Sequence, residues 1–146
     1  MTTFVSVPAK DIEGFCEARG FARTVQRREV VYVRRSRENP DVQIKVYTSI
    51  RTGAAAARSS GRDSIKVCAV FDNGRRSFGL CKLPRVHRTG STEKVLARVL
   101  SRIKDAAAFA NRWIAEDRAR LALRERLEEK AEFAAQERLQ EERAFL

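Results

Sequence analysis

The sequence predicts an α+β fold, with a short N-terminal helix, an antiparallel sheet of about four strands, and a long C-terminal helix packed on one sheet face and extending beyond it. Three observations carry that prediction. Val42 to Arg51 alternates with period two, placing Val42, Ile44, Val46, Thr48 and Ile50 on one side and Gln43, Lys45, Tyr47, Ser49 and Arg51 on the other, which is the pattern of a half-buried strand. Asn73-Gly74 stands between two apolar runs, and Asn-Gly is a strong signal for a two-residue hairpin because its turn requires positive φ at both central residues. From Thr92 onward the chain has no Pro or Gly, and Val95, Leu96, Val99, Leu100, Ile103, Ala107, Ala110, Trp113 and Ile114 recur at helical spacing.

In chain order, Val7 to Gly20 reads as a helix with Pro8 at its start, Gly20 at its stop, and an inward stripe of Ile12, Phe15 and Cys16. Phe21 to Arg37 reads as one strand centred on Val30 to Val33, flanked by arginines; Asn39-Pro40-Asp41 turns the chain into the alternating strand. Thr52 to Asp63 is a Gly/Ala/Ser-rich loop carrying Arg58 and Arg62. In the Ser64–Leu83 hairpin, a two-residue turn pairs Phe71 with Arg76 and Ala69 with Phe78. One face then holds Ile65, Val67, Ala69, Phe71, Phe78 and Leu80; the other holds Lys66, Cys68, Val70, Ser77, Gly79 and Cys81. Ser91 or Thr92 caps the last helix, with Glu93 in its first turn. Past Ile114 the apolar stripe loses its phase, and a boundary near Glu116 divides a basic globular domain, residues 1–115, from a charged helical extension, residues 116–146. A lone helix of that composition is marginal in water, so it is expected either to pair with a second copy or to fray.

The charge points to a polyanion. Lys and Arg number 30 against 19 Asp and Glu, a formal net charge of +11. No run reaches the roughly 18 apolar residues of a membrane span, and the start MTTFVSVPAK has no basic segment followed by a long apolar one, so neither a membrane nor a signal peptide is expected. Cys16, Cys68 and Cys81 lack CxxC spacing and His87 is the single histidine, so no metal, cofactor or disulfide is expected, and the thiols fit a cytoplasmic protein. Cys68 and Cys81, on one hairpin face, read as small packing residues.

Four strands followed by a helix, over roughly Phe21 to Ile114, resembles in topology the repeat of the Whirly and PUR-type single-strand-binding folds, and the core of the single-strand annealing recombinases. The resemblance implies a single-stranded nucleic acid lying across a basic, aromatic-bearing sheet, as in an accessory protein of recombination or replication.

The residues themselves offer such a surface. Lys45, Tyr47, Arg51 and Lys66 fall on the face opposite the helices, and Arg28, Tyr32 and Arg34 are assigned to the same side. Cations there neutralise phosphates and release counterions; a tyrosine stacks an unpaired base. Arg85, His87 and Arg88 precede the capped helix N-terminus, a place suited to phosphate. Arg58 and Arg62 lie in the loop that could close over a bound strand. The expected function is therefore non-enzymatic binding of a single-stranded nucleic acid, with oligomers formed through the C-terminal helix. One alternative is an assembly module that uses the long charged helix. A lesser one is a restriction-endonuclease-like nuclease, in which Asp41 and Glu29 would supply the carboxylates for a cation and Lys45 would complete the strand motif; no Gly-rich phosphate loop, HExxH or GxSxG motif supports catalysis.

Overall fold

The computed structural model describes residues 6–53 and 64–145. Helix α1 (Ala9–Ala18) follows Pro8, whose fixed φ of −58° suits a helix entry. It stops at Gly20, which takes φ +81°. There the Gly20 amide donates to Glu17 O and the Phe21 amide to Cys16 O, both at 3.1 Å, and Phe21 is buried beneath the turn. This closure consumes the last helical carbonyls and needs a left-handed residue, which glycine adopts without a Cβ clash.

The strands are β1 (Ala22–Gln26), β2 (Glu29–Arg35), β3 (Val42–Arg51), β4 (Ser64–Asp72), β5 (Ser77–Lys82) and the two-residue β6 (Val86–His87). They form one antiparallel sheet in the order β1-β2-β3-β4-β5, with β6 pairing β4. Helix α2 (Thr92–Phe145) follows. The Val95 amide donates to Ser91 O, so Ser91 stands as the residue before the first turn.

Register assigns the two faces. Tyr32, Val46 and Val67 lie in one cross-strand row, and Arg34, Ile44 and Ala69 in the next. Val42 opposes Phe71, and Phe71 stacks on Phe78 with ring centroids 4.9 Å apart. Both helices cover this face. Ile12 and Cys16 of α1 are buried, as are Val95, Val99, Ile103, Ala106 and Ala110 of α2. Each fully buried Val or Ile here contributes about 1.5–3 kcal/mol over an exposed one. The other face carries Thr24, Val31, Tyr47 and Lys66 in one row and Val33, Lys45, Cys68 and Lys82 in the next.

Four expectations are corrected. The Phe21–Arg37 segment is two strands, β1 and β2, joined by a two-residue turn at Arg27-Arg28. Neither residue is a turn former, so no local signal marks the break. The β4–β5 loop, by contrast, spans four residues, Asn73 to Arg76, rather than two. Phe71 pairs with Phe78 and Asp72 with Ser77. The Asn73 side-chain oxygen accepts from the Arg75 and Arg76 amides, and the Asp72 carboxylate from the Gly74 amide. These local bonds and the Phe71–Phe78 stack favour the longer loop over the compact Asn-Gly turn.

A bulge at Leu80 then turns Cys81 to oppose Ala69 and Lys82 to oppose Cys68, so the two cysteines leave their expected common face. Finally, Tyr32 and Arg34 point to the helix-covered side, because Tyr32 opposes Val46 and Val31 opposes Tyr47. Tyr32 has no exposed surface, and its hydroxyl donates to Glu17 of α1.

The chain divides into two compact units, residues 1–111 and 112–146. In the second, residues 118–145 are all exposed, including Leu121, Leu127, Phe133, Leu139 and Phe145. Arg120 and Asp117 form an ion pair at 3.6 Å, one helical turn apart. Among the described residues, no helix is long and apolar enough to cross a membrane.

Burial fixes the chemistry of the thiols. All three cysteines are free. Desolvation raises the Cys16 thiol from 9.0 to about 12, although Arg19 partly opposes the shift. Cys68 is also raised by burial, against the nearby Lys66. Because native Cys16 holds its proton more tightly than the unfolded thiol, its contribution to stability is complete below about pH 9 and is lost as pH rises toward 12. Melting temperature should therefore fall from about pH 9 upward, and Cys16→Ala should flatten that slope. An aromatic disulfide reagent should label half-buried Cys81 first and Cys16 only on unfolding.

Candidate nucleic-acid interface

The β1–β2 turn and the far end of β3 build a cleft of about 440 Å³ on the open face of the sheet. Gln26, Arg27, Glu29, Tyr47, Arg51, Lys66 and Arg85 line it. Two backbone irregularities shape it, a turn and a bulge. Arg27 and Arg28 both take positive φ, +51° and +64°, as the two central residues of a tight hairpin turn. Opposite them β3 bulges over Thr48 to Ile50, where Ser49 takes φ +61°. Thr48 Oγ1 donates to Val30 O at 2.7 Å, Ser49 Oγ donates to Ser64 O, and the Thr52 amide donates to Arg28 O at 2.9 Å. The bulge thus ties β2, β3 and β4 together just beyond Tyr47.

Left-handed backbone at a non-glycine residue costs on the order of 1 kcal/mol. Two successive arginines held there are a local expense that the cleft explains, since the turn brings Arg27 to its wall. Replacing the pair by Asn-Gly should stabilise the fold by about 1–2 kcal/mol in denaturant melts, by supplying residues that favour this turn. The same change should weaken any anion binding in the cleft. An unchanged or lowered stability would show that the turn is not strained.

Around Tyr47 the cleft sets four cations, Arg27, Arg51, Lys66 and Arg85, against one carboxylate, Glu29, for a net of 4 − 1 = +3. Glu29 holds Arg51 at 3.6 Å, and Arg85 donates to Ser64 Oγ at 3.3 Å. The Lys66 ammonium lies 5.0 Å from the Tyr47 ring centroid, a cation–π contact. Burial is the main cause that raises the Tyr47 phenol, followed by the influence of Cys68 and Glu29. The ring therefore stays neutral at physiological pH. A neutral aromatic surface flanked by guanidinium and ammonium groups can accept a base on the ring and its phosphates on the cations.

Of the sequence-predicted residues, Tyr47, Arg51, Lys66 and Arg85 meet in this cleft. Lys45 lies on the same face one row away, opposite Cys68. Arg28 shapes the turn, and its exposed side chain is not among the cleft-lining groups. Tyr32 and Arg34 belong to the opposite face; Arg34 donates to the Arg19 carbonyl at 3.3 Å. Strand alternation separates the expected Arg85, His87 and Arg88 group. Ser64 pairs with His87, leaving His87 exposed, while Arg88 turns inward and donates to Val7 O at 3.0 Å. The Val7 amide returns a bond to Arg88 O, so Arg88 fastens the N-terminal segment to the core. Arg58 and Arg62 lie outside the described residues.

Sequence reasoning missed Gln26 and Arg27, and placed Glu29 only in a nuclease site, because their position in this cleft depends on an unsignalled turn. Glu29 of β2 pairs with Arg51 at the far end of β3, whereas Asp41 precedes the start of β3, about 26 Å away at 3.3 Å per residue along β2, so they cannot share a cation. Among the described residues no group of three His, Cys, Asp or Glu could hold a metal ion. Comparison with protein-family models, curated proteins and solved structures finds no match to this chain.

Proposed function

We propose that this protein binds single-stranded nucleic acid, with no chemical step of its own. The strand's phosphates pass among Arg27, Arg51, Lys66 and Arg85, and one unpaired base stacks at Tyr47. The single observation that carries this reading is the convergence of those four cations on a half-buried, neutral tyrosine in one cleft of an open sheet face. Duplex bases are already stacked on one another, so a ring platform favours a single strand. Lys45 and Lys82 continue the cationic track along the same face, where Gly79 is exposed and a Cβ added to it would meet nothing within 4 Å. Free thiols on half-buried and buried sites suit the reducing conditions of the cytoplasm. Fluorescence anisotropy with labelled oligonucleotides tests the proposal. Single strands should bind more tightly than duplex of equal length, with affinity falling steeply as salt rises. Equal affinity for both, or no binding at low salt, contradicts it.

A further inference from the structure

A second groove lies on the helix-covered side of the sheet, at the opposite end from the basic cleft. It has a volume of about 200 Å³, the scale of one large side chain. Phe21, Ile44 and Ile103 give it an apolar interior, and the run Arg34, Arg35 and Arg37 lines its mouth. An apolar floor with a guanidinium rim suits an apolar side chain flanked by carboxylates.

The chain itself carries that ligand. Residues 128–145 of α2 hold six carboxylates and three cations, in a protein whose net charge is +11. Phe145 is 92% exposed and Leu139 is 53% exposed. Glu141 and Glu142 precede Phe145 by four and three residues, spacings that put them on its side of a helix. We infer that the acidic end of α2 from a second copy docks in this groove, with Phe145 against Phe21, Ile44 and Ile103, and Glu141 and Glu142 on the arginines. Charge complementarity, and the match between one exposed aromatic ring and a one-ring groove, favour this docking. It is independent of what the basic cleft binds.

Sedimentation velocity on the full chain, over a range of concentration and salt, tests the inference. Wild-type protein should self-associate, and more weakly as salt rises. Phe145→Ala, at a site too exposed to threaten the fold, should weaken association about ten-fold, the usual loss for an aromatic anchor. The paired changes Arg35→Glu with Arg37→Glu, and Glu141→Arg with Glu142→Arg, should each weaken it similarly. Mixing those two variants should restore association, because each then offers the other a complementary site. Ala107→Phe, which fills the groove, should act like Phe145→Ala. A monomer at about 100 µM, a scale at which even weak specific pairs form, overturns the inference. So does association indifferent to these changes, or a mixture of the two charge variants that remains dissociated.

Discussion

Lys66→Glu combined with Arg85→Glu should reduce single-strand affinity by about a hundred-fold or more at low salt, and should flatten its salt dependence. Two of the four cleft cations are removed and two carboxylates are put in their place, so the local net charge changes from +3 to −1 (3 − 4). The expected loss has two parts. Fewer counterions are released per bound strand, which lowers the salt slope by about one for each lost phosphate contact. The Tyr47 ring also loses its neighbouring ammonium, 5.0 Å away, and with it the cation that would meet the phosphate of a stacked base. Both side chains are at least partly exposed, so the fold should tolerate the change. Arg118→Glu with Arg138→Glu, on the exposed helix of the second unit, removes the same charge from the protein. Anisotropy titrations of the two variants side by side separate a cleft effect from a global one. If both lose affinity equally, net charge and not the cleft governs binding.

The second large effect concerns stability. Tyr32→Ala should destabilise the protein by about 3–5 kcal/mol, the range for removing a fully buried aromatic side chain. Tyr32 has no exposed surface, lies in the row with Val46 and Val67, and reaches Glu17 of α1 with its hydroxyl. Tyr32→Phe keeps the ring and loses only that 3.4 Å hydrogen bond, so its cost should be about 1 kcal/mol. Neither the conservative variant nor the residual folded fraction of Tyr32→Ala should show altered single-strand affinity. Tyr47→Ala should behave in the opposite way, with a small stability change and a binding loss of about 1–3 kcal/mol. Urea melts paired with titrations distinguish the two tyrosines. A Tyr32→Phe variant that binds poorly would contradict their assignment to opposite faces.

The pair also shows what a sequence of this kind makes legible. The alternation over Val42 to Arg51 placed Tyr47, Lys45 and Arg51 correctly, because period-two patterning is a direct consequence of the pleat. The helical stripe from Val95 through Ala110 was equally readable, since one helix face must be buried. Tyr32 was misassigned because β2 is apolar on both faces, with Val30, Val31 and Tyr32 all buried, so no alternation gave its phase. The Arg27-Arg28 turn was invisible for a different reason. Local preference argues against a tight turn there, and cross-strand pairing overrides that preference. The hairpin at Asn73-Gly74 was found but with the wrong loop length, because side-chain bonds from Asp72 and Asn73 support a four-residue loop that no dipeptide rule distinguishes. The most informative part of the cleft thus lies where local rules fail, at two arginines in left-handed backbone.

The central claim is that an unpaired base rests on Tyr47 between the cleft cations. Photocrosslinking with a single-stranded oligonucleotide carrying 5-iodouracil, followed by mass spectrometry of the crosslinked peptide, tests it most directly. The claim predicts that the principal adduct lies on Tyr47. An adduct population concentrated on Trp113 or Phe133, with Tyr47 unmodified, would contradict it.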